Sequence, residues 1–161
     1  MNAKPTNFSA PITVLPVADV NFESLVQLYH RYLLYFGHKR DASVLRIFLS
    51  KILSKDFSYC LVAKADEDTI GFCAGVYSYS PVALGLALTI NDLYVDDPWR
   101  RKNVGRILIK TLESYANQRG ANTLFVNTDA NIPWLTPYYE QIGFFAINHR
   151  TLVKRLNKES Q

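Results

Sequence analysis

Four basic side chains crowd one short stretch of this chain. Arg100, Arg101, Lys102 and Arg106 lie within seven positions, with Gly105 among them. Just upstream runs Ile90-Asn91-Asp92-Leu93-Tyr94-Val95, a strand-like segment that Asp96-Asp97-Pro98-Trp99 ends. Just downstream, from about Val104 to Gln118, Ile107, Leu108, Thr111, Leu112 and Tyr115 recur at helical spacing. A strand that turns through a basic loop into a helix is suited to holding an anion. The first turn of a helix carries backbone N–H groups with no intrahelical partner and the positive end of the helix dipole. Gly105 removes a side chain where a ligand would approach the backbone. The expected ligand is a pyrophosphate or a similar anion; a basic surface loop is the plain alternative. The stretch lacks the Gly-Lys-Ser/Thr ending of a nucleotide-triphosphate loop, and its single glycine excludes the dinucleotide fingerprint.

The elements that must position this turn can be traced along the chain. Residues 1–11 read as a polar lead-in, and Ile12 to Val17 as a short strand. A helix follows, capped by Asp19 or Asn21, with Leu25, Leu28, Tyr29, Tyr32, Leu33 and Phe36 on one face and Gly37 as its stop. Asp41 is expected to cap a second helix with Val44, Phe48 and Ile52 on one face. Strands are expected over Ser58 to Ala65 and Ile70 to Tyr79, joined by a turn at Asp66-Glu67-Asp68-Thr69. Pro81 interrupts, and Leu86 to Val95 is the next strand. After the helix ending near Gly120 come a strand over Asn122 to Thr128, a short helix before Gly143, and a last strand over Phe144 to Val153. For that short helix, Thr136 could serve as cap with Pro137 in the first turn. No repeat, linker or change of composition divides the chain. A single domain over residues 1–161, with its core at about 12–155, is expected.

The bulk numbers agree with a globular α/β protein. The chain has 161 residues, and 48% of them are hydrophobic. A formal charge of +4, from 18 Lys and Arg against 14 Asp and Glu, suits an anionic small ligand and does not call for nucleic acid. Cys60 and Cys73 sit in apolar runs and read as buried thiols, with neither metal spacing nor a disulfide framework. His30 and His38 read as surface residues, and His149, beside Arg150, shows no metal partners. The start of the sequence lacks the apolar run of a signal peptide, and no stretch is long enough to span a membrane. A cytoplasmic protein is expected.

The segment Arg100-Arg101-Lys102-Asn103-Val104-Gly105 resembles the Arg/Gln-x-x-Gly-x-Gly/Ala signature of the GCN5-related N-acetyltransferase superfamily. Asn103 stands where that signature has its first glycine, and Asn is a residue that tolerates the left-handed backbone such a position requires. Tyr139-Glu140-Gln141-Ile142-Gly143-Phe144 is similar to the family's Tyr-x-x-x-Gly-Phe ending, and Asn131 matches the Asn that precedes that helix. The resemblance implies a mixed, mostly antiparallel central sheet flanked by about four helices, and acetyl-CoA as cofactor. It implies that Leu93, Tyr94 and Val95 pair with the pantetheine arm. It places the pyrophosphate on Arg100, Arg101, Lys102, Asn103, Val104, Gly105 and Arg106, with Asn131 and Tyr138 also at the cofactor. A homodimer is implied on the same ground.

The implied reaction is direct attack of an amine on the thioester. It requires a neutral amine, a polarised carbonyl and a proton donor for the leaving sulfur. Tyr139 is the implied acid, and the adjacent Tyr138 competes for the role. Asn91-Asp92 resembles the Glu-Asp pair of polyamine-acetylating members, but Asn91 cannot act as a base. Asp92 can accept the proton, directly or through water, or hold a substrate cation. Tyr29 to Phe36 resembles a run found in branches near the histone and polyamine acetyltransferases, so Tyr32, Tyr35, Phe36 and Asn91 are implied to line the acceptor site. The acceptor is then a polyamine or another small polycation, with an aminoglycoside or a peptide lysine as alternatives. Strict alternation sets Asn91, Leu93 and Val95 on one strand face and Asp92 and Tyr94 on the other, unless a bulge intervenes. A non-catalytic CoA-binding module is the reading of another class, and Asn91 and Asn103 are what favour it.

Overall fold

The computed structural model describes residues 10–147 together with Leu152 and Lys154. It divides into two units, Met1–Asn127 and Thr128–Gln161.

The first unit is built on a five-stranded sheet in the order β1-β2-β3-β4-β5. The strands are β1 (Ile12–Pro16), β2 (Ser58–Ala65), β3 (Asp68–Ser80), β4 (Gly85–Val95) and β5 (Ala121–Val126). The first four pair antiparallel, and β5 joins β4 in parallel. Two-residue spacing of side chains along β3 separates two cores. Phe72 and Ala74 face the helices α1 (Asp19–Tyr35) and α2 (Ala42–Leu53), packing with Leu25, Leu28, Tyr29, Leu45 and Leu49. Gly71, on the other face, approaches Val104 and Leu108 of α3 (Val104–Gln118). Both cysteines are buried free thiols.

The helix ends show which local signals operate. Neither Asp19 nor Asn21 is the cap of α1; Ala18 holds that position. Asn21 instead lies inside the first turn, where its side chain accepts from the Ala18 N–H at 2.8 Å and donates to the Pro16 carbonyl at 3.2 Å. Gly37, at φ +77°, ends α1 as expected. Its N–H donates to the Leu34 carbonyl while His38 N–H reaches back to Leu33, the paired closure of a Schellman motif. Asp41 caps α2 by accepting from Ser43 N–H at 2.7 Å. Of the apolar face shared by Val44, Phe48 and Ile52, only Ile52 packs against the core. Leu45 and Leu49 are buried, whereas Val44 and Phe48 are exposed. The sequence ASVLRIFLSKIL is apolar in several helical phases, so its periodicity cannot choose between them.

The second unit contains α4 (Leu135–Glu140). Thr136 does not cap it: Trp134 occupies the cap position and Pro137 lies within the first turn. The expected strand over Phe144 to Val153 is absent from Phe144–Ile147, which adopt no regular structure. The rest of that segment, including His149 and Arg150, lies outside the described residues apart from Leu152.

Candidate functional site

The site begins with a break in the regular pairing of β4. Ala74 of β3 faces Asp92, but the next residue, Gly75, faces Ile90. Asn91 is therefore an extra residue, a β-bulge that leaves it exposed. The extra residue reverses which face the rest of the strand presents. Without it, Asp92 would share the face of Ile90, beside α3. With it, Asp92 and Tyr94 join Ala74 and Phe72 on the face covered by α1.

There the Asp92 carboxylate meets two phenols. Tyr29 donates to Oδ2 and Tyr32 to Oδ1, each at 2.9 Å. These tyrosines stand three residues apart, on adjacent turns of one helix face. Phe72 supports both: it stacks on the Tyr29 ring at 4.0 Å and meets the Tyr32 ring edge-on at 5.7 Å. Tyr94 adds an edge contact to Tyr32 at 5.8 Å. Burial, and next the charge of Asp92, push the Tyr29 phenol well above its ordinary range, so it keeps the proton that it donates to Asp92. Burial raises the Tyr94 phenol too, reinforced by Asp96.

Two further links join α1 to the end of β4. Arg31 pairs with Asp96 at 3.2 Å. Arg100 donates from Nε to the Val95 carbonyl at 2.9 Å, pairs with Asp97, and lies 4.6 Å from the centre of the Tyr35 ring. Three of the four expected wall residues are thus gathered at one place, Tyr32 on Asp92, Tyr35 under Arg100, and Phe36 against both rings at 5.1 Å, whereas Asn91 is exposed at the bulge. Tyr35 and Phe36 remain exposed.

The same strand has a second open feature. Its pairing with β5 runs from Leu86↔Ala121 to Ile90↔Val126 and stops there. Beyond that point, Leu93, Tyr94 and Val95 keep their β3 partners and have no β5 register partner. The strand then feeds a 3-10 turn, Asp97–Trp99, which the buried Trp99 anchors. Arg101 and Asn103 both take left-handed backbone, at φ +59° and +63°. Asn103 is the cap of α3 and makes no side-chain cap hydrogen bond. The first helical closure is from Ile107 N–H to the Asn103 carbonyl at 3.0 Å, so the N–H groups of Val104, Gly105 and Arg106 precede it. Arg101, Lys102 and Arg106 are exposed around this turn. A strand edge with no pairing partner among the described residues thus leads into a basic, dipolar helix start, an arrangement able to take an extended chain ending in phosphates.

The remaining predicted residues lie in the second unit. Asn131 turns on Asp129, which accepts from its backbone N–H at 2.8 Å and its side-chain amide at 3.0 Å. Tyr139 is buried, with its ring edge-on to Tyr138 at 5.2 Å and Phe144 at 5.4 Å. Tyr29, Arg31, Asp96 and Phe72 were not among the sequence candidates. Tyr29 carried a signal, since it stands at i, i+3 from Tyr32 on a helix expected to border the site. The Arg31–Asp96 pair, 65 positions apart, carried none.

Comparisons with known proteins bear on the family and the fold. The family model for the acetyltransferase (GNAT) family matches residues 22–144. The uncharacterized N-acetyltransferase YhfO of Bacillus subtilis is 27% identical over 121 residues, which are 75% of this chain and 81% of that protein. The streptothricin acetyltransferase of Streptomyces lavendulae is 37% identical over 81 residues, 50% of this chain and 40% of the relative. Among solved structures, that of a probable acetyltransferase has a TM-score of 0.82 at 25% identity, covering 91% of this chain and 99% of its own. An aminoglycoside N-acetyltransferase in complex with CoA shares the fold with a TM-score of 0.80 at 16% identity, covering 96% and 100%.

Proposed function

The chain belongs to the acetyltransferase (GNAT) family, and from that premise we propose that it moves an acetyl group from acetyl-CoA to a primary amine by direct attack on the thioester. The observation that carries this reading is the end of β4, where loss of the β5 partner after Ile90 coincides with the basic turn into α3. Leu93, Tyr94 and Val95 would take the pantetheine arm along their open edge, with the backbone near Leu93 donating to the thioester carbonyl. The N–H groups of Val104, Gly105 and Arg106, with Arg101 and Lys102 around them, would hold the pyrophosphate. Arg100, already bonded to the Val95 carbonyl, would order the loop and add its charge. Asn103 supports the same reading, since it adopts the left-handed backbone that the signature's glycine would supply.

Asp92, with Tyr32, Tyr35 and Phe36 beside it, would receive the acceptor. A carboxylate among aromatic rings suits a cationic amine, and a small polycation such as a polyamine is the proposed acceptor. The names of the streptothricin and aminoglycoside acetyltransferases support that class, since both denote amine-rich small molecules. Tyr139 is proposed as the proton donor to the departing thiolate, on its place before Gly143-Phe144. The family match crosses Asn127, which supports reading residues 1–161 as one acyltransferase domain.

The test is acetyl-CoA-dependent release of free thiol with spermidine, spermine, diamines, aminoglycosides, amino acids and a histone-tail peptide. A rate that depends on a small polyamine is the expected result. A rate with the peptide alone would replace the acceptor class. Binding of acetyl-CoA with no rate on any amine would favour the non-catalytic module.

A further inference from the structure

An aspartate on a strand edge ordinarily swings among staggered rotamers. Asp92 is held differently. Its two oxygens accept from two different phenols, Tyr29 on Oδ2 and Tyr32 on Oδ1, both at 2.9 Å. Donors on separate oxygens set the plane of a carboxylate as well as its position. The phenols are themselves held, because Phe72 packs against both rings. Nothing in this arrangement exhausts the carboxylate. An ionised carboxylate offers about four lone-pair sites, and the two phenols use one on each oxygen.

We propose that Tyr29 and Tyr32 are positioning residues that fix the Asp92 carboxylate in one orientation, and that the acceptor amine is aligned by the part of Asp92 they leave open. The proposal rests on the amine-acetyltransferase reading. The bulge at Asn91 and the two tyrosines act together: the bulge brings Asp92 to the α1 face, and the phenols decide its rotamer. Misplacing a reacting group by about 1 Å can cost roughly a hundredfold in rate, so the clamp has a kinetic consequence. A purely packing role for the rings predicts otherwise, because Phe would preserve the ring and its contacts.

A double-mutant cycle with two readouts tests this. The variants are Tyr29→Phe, Tyr32→Phe, Asp92→Asn and the two pairs that combine a Phe with Asp92→Asn. Tyrosine 13Cζ resonances are recorded first, with those of Tyr29 and Tyr32 assigned from the two Phe variants. In Asp92→Asn these two resonances are expected to move while those of distant tyrosines stay. Should Asp92→Asn fail to fold, the Asp92 carboxyl 13C resonance in the two Phe variants gives the same answer. Thiol release with the best acceptor is then measured, and acetyl-CoA binding by calorimetry serves as the control for an intact cofactor loop. Each Phe variant is expected to lose roughly tenfold in kcat/KM, and to lose little more than twofold once Asp92 is already Asn. Unmoved resonances, or losses that multiply in the double variants, would overturn the proposal. A wild type with no amine-dependent release removes the proposed function instead, while the resonances still decide whether the clamp exists.

Discussion

Asp92 and Arg100 show how far a residue's partners can depart from what its type suggests. Asp92 is an acidic side chain beside a basic loop, yet its hydrogen bonds go to two phenols of α1. Arg100 holds the leading position of a phosphate-loop signature, yet its guanidinium serves the Val95 carbonyl, Asp97 and the Tyr35 ring. These contacts tie the end of β4 to the loop that follows it and to the helix above it. Tyr139 carries the most direct prediction at this scale. Tyr139→Phe keeps the ring that packs on Tyr138 and Phe144 but removes the phenolic proton. Acetyl transfer is expected to fall by roughly tenfold or more, with acetyl-CoA binding largely kept by calorimetry. Full turnover in Tyr139→Phe together with an inactive Tyr138→Phe would assign the acid to Tyr138.

At the scale of elements, the bulge in β4 does the most. One extra residue reverses the alternation of the strand and so decides which core Asp92 faces. Opposite it, β3 has a glycine for a steric reason. A Cβ on Gly75 would lie 2.6 Å from the Thr89 carbonyl oxygen, and backbone cannot yield as a flexible side chain can. Gly75→Ala is expected to cost about 1–3 kcal/mol of stability, read from the urea midpoint. An unchanged midpoint would show that β3 and β4 can separate locally without loss. The helices teach a different lesson. Gly37 and Asp41 were legible because an end signal needs only one residue with a special backbone or an oxygen in reach. The inward face of α2 was not legible, because choosing between Val44–Phe48 and Leu45–Leu49 requires knowing where β2 and α1 stand.

At the scale of the whole molecule, two buried thiols and four phenols among the described residues shift in the same direction. Burial pushes the thiols of Cys60 and Cys73 and the phenols of Tyr29, Tyr77 and Tyr94 upward, and Tyr59 rises to about 12. In the unfolded chain these groups ionise near their ordinary values of 9.0 and 10.0. Above those values the folded state keeps protons that the unfolded state has released. Stability is therefore expected to be insensitive to these groups at neutral pH and to fall as pH rises beyond about 9–10. Urea midpoints taken from about pH 8 to about pH 12 would show the decline, and Tyr29→Phe should make it shallower. A midpoint that stays level across that range would contradict the burial of these groups.

The sequence by itself determined the kinds and order of the elements from Ile12 to Glu140, the strand-loop-helix at residues 90–118, and the family whose signatures lie in it. Those features depend on near neighbours: alternation, capping oxygens, glycines, and a cluster of charge within one turn. The tertiary structure decided what acts at a distance. It joined Tyr29 and Tyr32 to Asp92 across 63 and 60 positions and Arg31 to Asp96 across 65, and it ended the β5 pairing at Ile90. Such contacts are set by strand register and by one bulge, and a shift of a single residue in either would send Asp92 to the opposite face of the sheet.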